Sequence, residues 1–447
     1  MSEDRLWEYL FSGKGASVDS RTLQPGEVFF ALPGTRSHGA SFAGDAWSRG
    51  AAFLVLPVDF PPPPHVPRER IFYHAEPLRL LGEIAAAYRQ RFSIPLVAIG
   101  GSNGKTTTKA LLGHMLSQQA PTLISPKSWN NAIGLPLTLL RLRPEHRFAV
   151  IEIGDNRPGE VQALCEMAQP TVGLLTNVGQ DHLAGYGTLE ANRLAKWEMA
   201  EYLRLHPGGL LFLNREDPWL ATRPSLPGVA VKYYGNGSPT LASGRWQPMG
   251  WECSRLEGEL DGHPFCVEVP LWGSFNRLNV LAALAVGYTL GFSVEVLGRA
   301  LGSFKGEAYR SQVVRRGSQV FVLDAYNANP SSLAASLTSL WETLESGQKA
   351  ALILGQMEEL GDFSERAHRE AVEMLLQHAQ CIEGVVFVGP LWLPVLHAGL
   401  TVPWKWRWVE DVAELRKADL SWLAEVAIIY LKGSRTQALE RFLLEEG

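Results

Sequence analysis

Short, uninterrupted apolar runs recur along this chain, and most are followed by a segment with apolar residues at helical spacing. From residue 96 the runs are 96–99, 148–151, 171–175 and 209–213. After about residue 305 they are 320–323, 350–354, 384–388 and 426–430. Runs this short, bounded by turn residues and alternating with helices, read as strands of a mainly parallel sheet covered on both faces. The first ninety or so residues carry strand-like runs at 28–32 and 52–56, a Pro61 to Pro64 connection and a helix over 78–91. Residues 225–275 hold more Gly, Pro and Trp and shorter runs, which predicts an antiparallel excursion. A helix over 279–290 restores the pattern.

This organisation predicts an α/β protein of three domains. They are a small N-terminal α/β domain (1–93), a central P-loop-type parallel-sheet domain (94–305) and a C-terminal Rossmann-like domain (306–447). A length of 447 residues agrees, being too much for a single core. The net charge of −5 argues against a nucleic-acid binder, which usually carries a basic face. Cys165, Cys253, Cys266 and Cys381 are scattered without metal or disulfide spacing, as expected in a reducing cytoplasm. The first residues are charged, with no signal-peptide apolar core. The long apolar run 278–297 contains Asn279, Thr289, Ser293 and Glu295, so a buried helix is expected there rather than a membrane span.

The chemistry begins at Gly101-Ser102-Asn103-Gly104-Lys105-Thr106-Thr107, between a predicted strand and a predicted helix. A glycine turn there exposes backbone N–H groups and a helix N-terminus to an anion, which is how phosphate is cradled. The strict P-loop pattern would need glycine at Ile99, so the working form is Gly101-x-x-Gly104-Lys105-Thr106. Lys105 would reach the β- and γ-phosphates of a nucleotide, and the Thr106 hydroxyl would ligate Mg²⁺. The plainer alternative is a glycine turn that merely opens a helix. Two later runs end in polar residues at the same sheet edge: Glu152, and Thr176-Asn177-Val178-Gly179-Gln180-Asp181-His182. Ligands bind at that edge of a parallel sheet, so these become candidate site residues.

The phosphate loop, Glu152, Thr176-Asn177-Val178-Gly179, His182 and Lys196 fourteen residues later together resemble the Mur ligases. Those enzymes build the peptide of the bacterial cell-wall precursor. The resemblance implies an ATP- and Mg²⁺-dependent ligase that activates a carboxylate as an acyl phosphate and then admits an amine. Lys105, Glu152, His182 and Lys196 would be catalytic. Thr106, Glu152, His182 and a carbamylated Lys196 would hold the metal. Asn276 and Asn279 would bind adenine, and Arg310 and Asp324 would reach ATP from the last domain. Asp19-Ser20-Arg21 and the stretch from Gly26 to Gly39 resemble a UDP-binding domain, with Ser20, Arg21 and Thr35 as its candidates.

Within the family, Asn130-Asn131-Ala132-Ile133-Gly134-Leu135-Pro136-Leu137 and Asp324-Ala325-Tyr326-Asn327-Ala328-Asn329-Pro330 resemble the member that adds D-alanyl-D-alanine to a UDP-N-acetylmuramoyl-tripeptide. Asn130, Asn131, Asn327, Asn329 and Arg435 are the substrate-binding candidates this implies. The Asp-Asn-Pro-Arg motif of the diaminopimelate-adding members is absent; the comparable region reads Glu358-Glu359-Leu360-Gly361-Asp362. Two features depart from the pattern. Ala110 stands where an acidic residue often follows Thr-Thr-Thr-Lys, and 181–186 partly resembles the tripeptide-forming members. A tripeptide-forming ligase and a nucleotide-gated binding protein without turnover remain the alternatives. A cytoplasmic monomer is expected.

Overall fold

The computed structural model describes residues 3–34, 37–181, 183–399 and 401–443. The N-terminal sheet is β1 (Ala16–Ser17), β2 (Val28–Phe30), β3 (Phe53–Pro57) and β4 (Ile71–His74), in that order and parallel throughout. The central strands are β5 (Leu96–Gly100), β6 (Thr122–Ile124), β7 (Phe148–Glu152), β8 (Val172–Leu175), β9 (Leu210–Asn214) and β10 (Ala230–Tyr234). They continue through β11 (Ala242–Pro248), β12 (Ser254–Leu260) and β13 (His263–Val269) into one sheet, ordered β13-β12-β11-β10-β9-β8-β5-β7-β6. The antiparallel excursion is shorter than the composition shift suggested. β10 still pairs parallel to β9, and only β11 to β13 form an antiparallel meander.

The C-terminal sheet comprises β14 (Gln312–Arg316), β15 (Gln319–Asp324), β16 (Ala350–Gly355), β17 (Ile382–Val388), β18 (Lys405–Val409) and β19 (Ile428–Lys432). Its order is β14-β15-β19-β16-β17-β18, with β14 and β15 as an antiparallel hairpin beside parallel neighbours. The long apolar run 278–297 is two helices, Asn276–Thr289 and Val294–Gly302. Ser293 breaks it, because its side chain caps the second helix by accepting from Val296 N–H. Among the described residues no helix is long and apolar enough to cross a membrane.

The first domain is not loosely tethered. The helix Pro77–Arg89 starts with proline at its first turn, where no N–H is missed, and buries Leu80, Leu81, Ile84, Ala85 and Tyr88. Those side chains share one apolar cluster with Leu6 and Phe30 on one side and Leu139, Leu164 and Leu211 on the other. Each large apolar side chain so buried contributes about 1.5–3 kcal/mol relative to exposure. At the end of this helix the buried Arg89 guanidinium donates to Ala168 O and Ile94 O, both at 3.1 Å, and to Phe92 O. The third domain is docked on the second. Trp272 lies in the cluster of Leu337 and Tyr430, and its indole N–H donates to Thr343 Oγ1 at 3.1 Å.

In the central sheet β5 lies between β8 and β7, so the strand order reverses there. A crevice opens at the carboxyl ends of the strands at such a reversal, and the chain leaves β5 directly into the phosphate loop.

Candidate active site

The loop is shaped by two glycines. Gly101 sits at φ +121°, and a Cβ there would stand 2.2 Å from Thr176 Oγ1. Gly104 sits at φ +84° as the N-cap of the helix Lys105–Ser117, and its Cβ would stand 2.2 Å from Asn279 Oδ1. Only glycine fits either place. The loop is pinned against the exit of β8. Asn177 donates through Nδ2 to Asn103 O and accepts at Oδ1 from Asn103 N–H, both at 3.0 Å. Ser102 Oγ donates to Asp181 Oδ1 at 2.6 Å and accepts from Gly179 N–H at 2.7 Å. The Lys105 ammonium turns back onto the loop, donating to Gly101 O at 2.5 Å and Ser102 O at 3.3 Å.

Below the loop, Glu152 ends β7 almost fully buried. Thr106 Oγ1 donates to its Oε2 at 2.7 Å, and Asn130 Nδ2 donates to its Oε1 at 2.8 Å. The buried Lys109 ammonium lies 3.7 Å from Oε2 and also donates to Lys127 O. Burial pushes the Lys109 pKa down, opposed by the Glu152 charge. Arg310 reaches in from the C-terminal domain and donates through Nη2 to Thr106 Oγ1 at 2.8 Å. Its guanidinium lies 3.8 Å over the Tyr326 ring, and the Tyr326 hydroxyl is hydrogen-bonded to Ser128 Oγ. A hydroxyl and a carboxylate side by side at the cleft floor suit Mg²⁺, which takes oxygen ligands.

Lys196 lies fully buried on the helix Leu189–Leu205, not on its surface. Its ammonium donates to Asp155 Oδ2 at 2.7 Å and Asn192 Oδ1 at 2.9 Å, and lies 3.1 Å from Asp181 Oδ1. Two glutamates of the same helix are engaged elsewhere. Glu190 pairs with Arg193, and Glu198 accepts from Gly159 and Gln162 N–H. Tyr186 donates to Asp155 Oδ2 at 2.7 Å, and burial followed by the Asp155 charge pushes its phenol pKa far up. His182 lies outside the described residues, as does Thr35.

Above these groups a cleft of about 530 Å³ runs between the central and C-terminal domains, within the range of small-molecule sites. Ser102, Asn103, Gly104, Lys105, Thr106, Thr107, Asn130, Glu152, Asn279, Arg310, Asp324 and Asn327 all line it. Asn276 stands one layer behind, accepting from Asn279 Nδ2 at 2.9 Å and donating to Trp272 O at 2.8 Å. At the far end Tyr234, Phe275 and Leu278 form apolar walls. Asp324 is held by the buried Lys432 ammonium at 2.6 Å.

The remaining candidates stand off the cleft lining. Asn131 is exposed, and its Oδ1 caps Ile133 and Gly134 N–H. Asn329 caps the helix Pro330–Thr343. Arg435 pairs with Glu440 at 2.5 Å. Ser20 is buried in the N-terminal domain, and the exposed Arg21 pairs with Asp19 at 2.7 Å. Lys109, Asp155, Asn192 and Lys432 were not expected in the site. Two of these carried a usable signal. Lys109 lies one helical turn beyond Thr106, and Lys432 ends a strand at the ligand edge of its sheet.

A phosphate loop at a sheet switch point, with a strand-end carboxylate and an arginine supplied by a second domain, defines a nucleotide-dependent enzyme. Residues 99–287 match the Mur ligase middle domain, and residues 309–435 match the Mur ligase glutamate ligase domain. The chain belongs to the Mur ligase family. It is 32% identical to the UDP-N-acetylmuramoyl-tripeptide–D-alanyl-D-alanine ligase of Escherichia coli (strain K12), over 96% of this chain and 94% of that one. A crystal structure of MurF from Acinetobacter baumannii matches at TM-score 0.84 with 26% identity, covering 98% of this chain and 97% of the other. MurF ligase from Thermotoga maritima in complex with ADP matches at 0.82 with 26% identity, covering 99% and 97%.

Proposed function

We propose that this protein joins D-alanyl-D-alanine to the terminal carboxylate of a UDP-N-acetylmuramoyl-tripeptide, consuming ATP and releasing ADP and phosphate. The observation that carries the chemistry is the meeting of Lys105, Thr106, Glu152 and Arg310 at one phosphate loop, three from the central domain and one from the C-terminal domain. The relatives' names favour this donor over a diamino acid.

A carboxylate resists amines because its carbonyl is electron-rich and oxide leaves poorly. Transfer of the γ-phosphoryl group to a carboxylate oxygen, with ADP leaving, gives an acyl phosphate. The dipeptide's amine then attacks the acyl carbon, loses a proton, and phosphate departs with both electrons of the broken C–O bond. The chain's share is positioning and charge neutralisation. Lys105 would exchange Gly101 O for phosphate oxygens, and the loop amides would orient them. Thr106 and Glu152 would hold Mg²⁺, which offsets phosphate charge. Arg310 would sit against the transferring group. Tyr234, Leu278 and Asn279 would receive the base.

Lys196, carbamylated by CO₂, would present oxygen to a second Mg²⁺ beside Asp155 and Asp181. Ser20, Arg21 and Thr35 would take the UDP moiety, and Asn130, Asn131, Asn327 and Arg435 would face the peptide substrates. Every residue invoked belongs to one chain, so a monomer suffices. The reading places the reaction in the cytoplasm.

The test is phosphate release across a panel of UDP-muramoyl peptides and amines. Release should require both the tripeptide and D-alanyl-D-alanine. Faster turnover of a dipeptide with diaminopimelate or lysine would overturn the donor assignment. Nucleotide binding without turnover would instead leave a binding protein.

A further inference from the structure

Asn103, like Thr106, is a phosphate-loop residue whose polar groups are divided between two domains. Its backbone N–H and C=O are both taken by the Asn177 amide of the central domain, at 3.0 Å each. Its side chain is taken by the C-terminal domain. Asn329 Nδ2 donates to Asn103 Oδ1 at 2.9 Å, and Asn103 Nδ2 donates to Ser331 Oγ at 3.0 Å.

The C-terminal half of this contact is rigid. Asn329 Oδ1 accepts from Ser332 N–H at 2.8 Å, Asn329 N–H donates back to Ser332 Oγ at 3.1 Å, and Pro330 fixes the next backbone angle. A residue without a side chain lies beside this contact. A Cβ on Gly179 would stand 2.9 Å from Ser331 Oγ and 3.5 Å from Ser102 Cβ.

We propose that Asn329 and Ser331 are positioning residues that set the phosphate loop through Asn103. Docking of the C-terminal domain thus pre-forms the nucleotide site, and nucleotide in turn favours docking. The inference rests on the reading that nucleotide binds at this loop. It gives Asn329 a role other than holding the peptide donor. Weakening the contact lowers the fraction of molecules ready to bind, so apparent nucleotide affinity falls in proportion. Saturating nucleotide restores docking, so turnover at saturation is preserved.

The experiment uses the full chain with Asn329→Ser, Ser331→Ala and Gly179→Ala. Serine at 329 keeps an oxygen for the helix cap but cannot reach Asn103. Each variant should raise the KM for ATP and the Kd for ADP by about fivefold, the scale of one net hydrogen bond. The kcat should stay within about twofold of wild type, with an unchanged melting midpoint. Asn103→Ala combined with Asn329→Ser should be no weaker than Asn103→Ala alone. ADP affinity equal to wild type in all three variants, or effects that add fully to Asn103→Ala, would overturn the proposal. So would a fall in kcat without a change in KM. If wild type binds ADP yet forms no amide, the proposed reaction fails while the ADP titrations still judge the positioning role.

Discussion

Arg310 and Thr106 lie 204 residues apart in sequence, yet Arg310 Nη2 donates to Thr106 Oγ1 at 2.8 Å. Thr106 in turn donates its own hydrogen bond to Glu152, so one hydroxyl links a cation of one domain to a carboxylate of another. Arg310→Lys keeps the charge but loses the planar fork and the stacking on Tyr326. Turnover should fall by on the order of a hundredfold, as for other lost transition-state contacts. Steady-state kinetics at saturating ATP checks this; a rate near wild type would place Arg310 outside the reacting centre.

Lys105 is the loop's own cation. Lys105→Ala should cost on the order of a hundredfold or more in phosphate release, because no other loop group can follow the charge of the transferring phosphoryl group. A variant that keeps most of its rate would show that the loop is not the catalytic cradle.

Lys196 stands between Asp155 and Asp181, so its removal strands buried carboxylates. Breaking a buried pair typically costs about 3–5 kcal/mol, and Lys196→Ala should therefore both melt earlier and lose activity. If a carbamate supplies the metal ligand, bicarbonate or a short carboxylate added to Lys196→Ala should restore part of the rate. Lys196→Arg, which cannot be carbamylated, should fold but stay inactive. An unmodified Lys196 in a crystal structure with nucleotide and Mg²⁺ bound would rule the modification out.

His368 predicts a pH effect. It is fully buried, with Nε2 accepting from Met357 N–H at 3.0 Å, so Nδ1 carries the proton and donates to Ser364 O at 2.7 Å. Burial lowers its pKa below the ordinary 6.5. The unfolded chain therefore takes up a proton below about pH 6.5 that the folded chain refuses. Its contribution is undiminished above that pH and is lost as pH falls toward the lowered folded value. Melting midpoints between pH 7.5 and 5.5 should drop more steeply for wild type than for His368→Gln. Equal slopes would show that another group carries the dependence.

The local half of the site was readable in the sequence. The run 96–99, the two loop glycines and Lys105-Thr106 occupy adjacent residues, and spacing alone places them on a strand, a turn and a helix. Glu152 followed because a strand-end carboxylate in a parallel sheet faces the ligand edge. Partnerships across domains were not readable. Asn103 and Asn329 are 226 residues apart, and nothing in either neighbourhood specifies that a loop and a helix cap will touch. The burial of Lys196 was half visible in its apolar neighbours. Its pairing with Asp155 was not, since periodicity identifies a helix face but not what packs against it.

The hold that Lys105 keeps on Gly101 O bears on how a spent nucleotide leaves. A loop cation without an internal partner would cling to any diphosphate, because departure would strand its charge. On the proposed reading a departing anion would be replaced by a carbonyl 2.5 Å away on the same loop. The loop would thus carry its own competitor for the ammonium, which would weaken the grip on ADP as well as ATP. Product escape would be eased at the expense of tight storage, a trade that would suit a catalyst which must empty its site after each bond it makes.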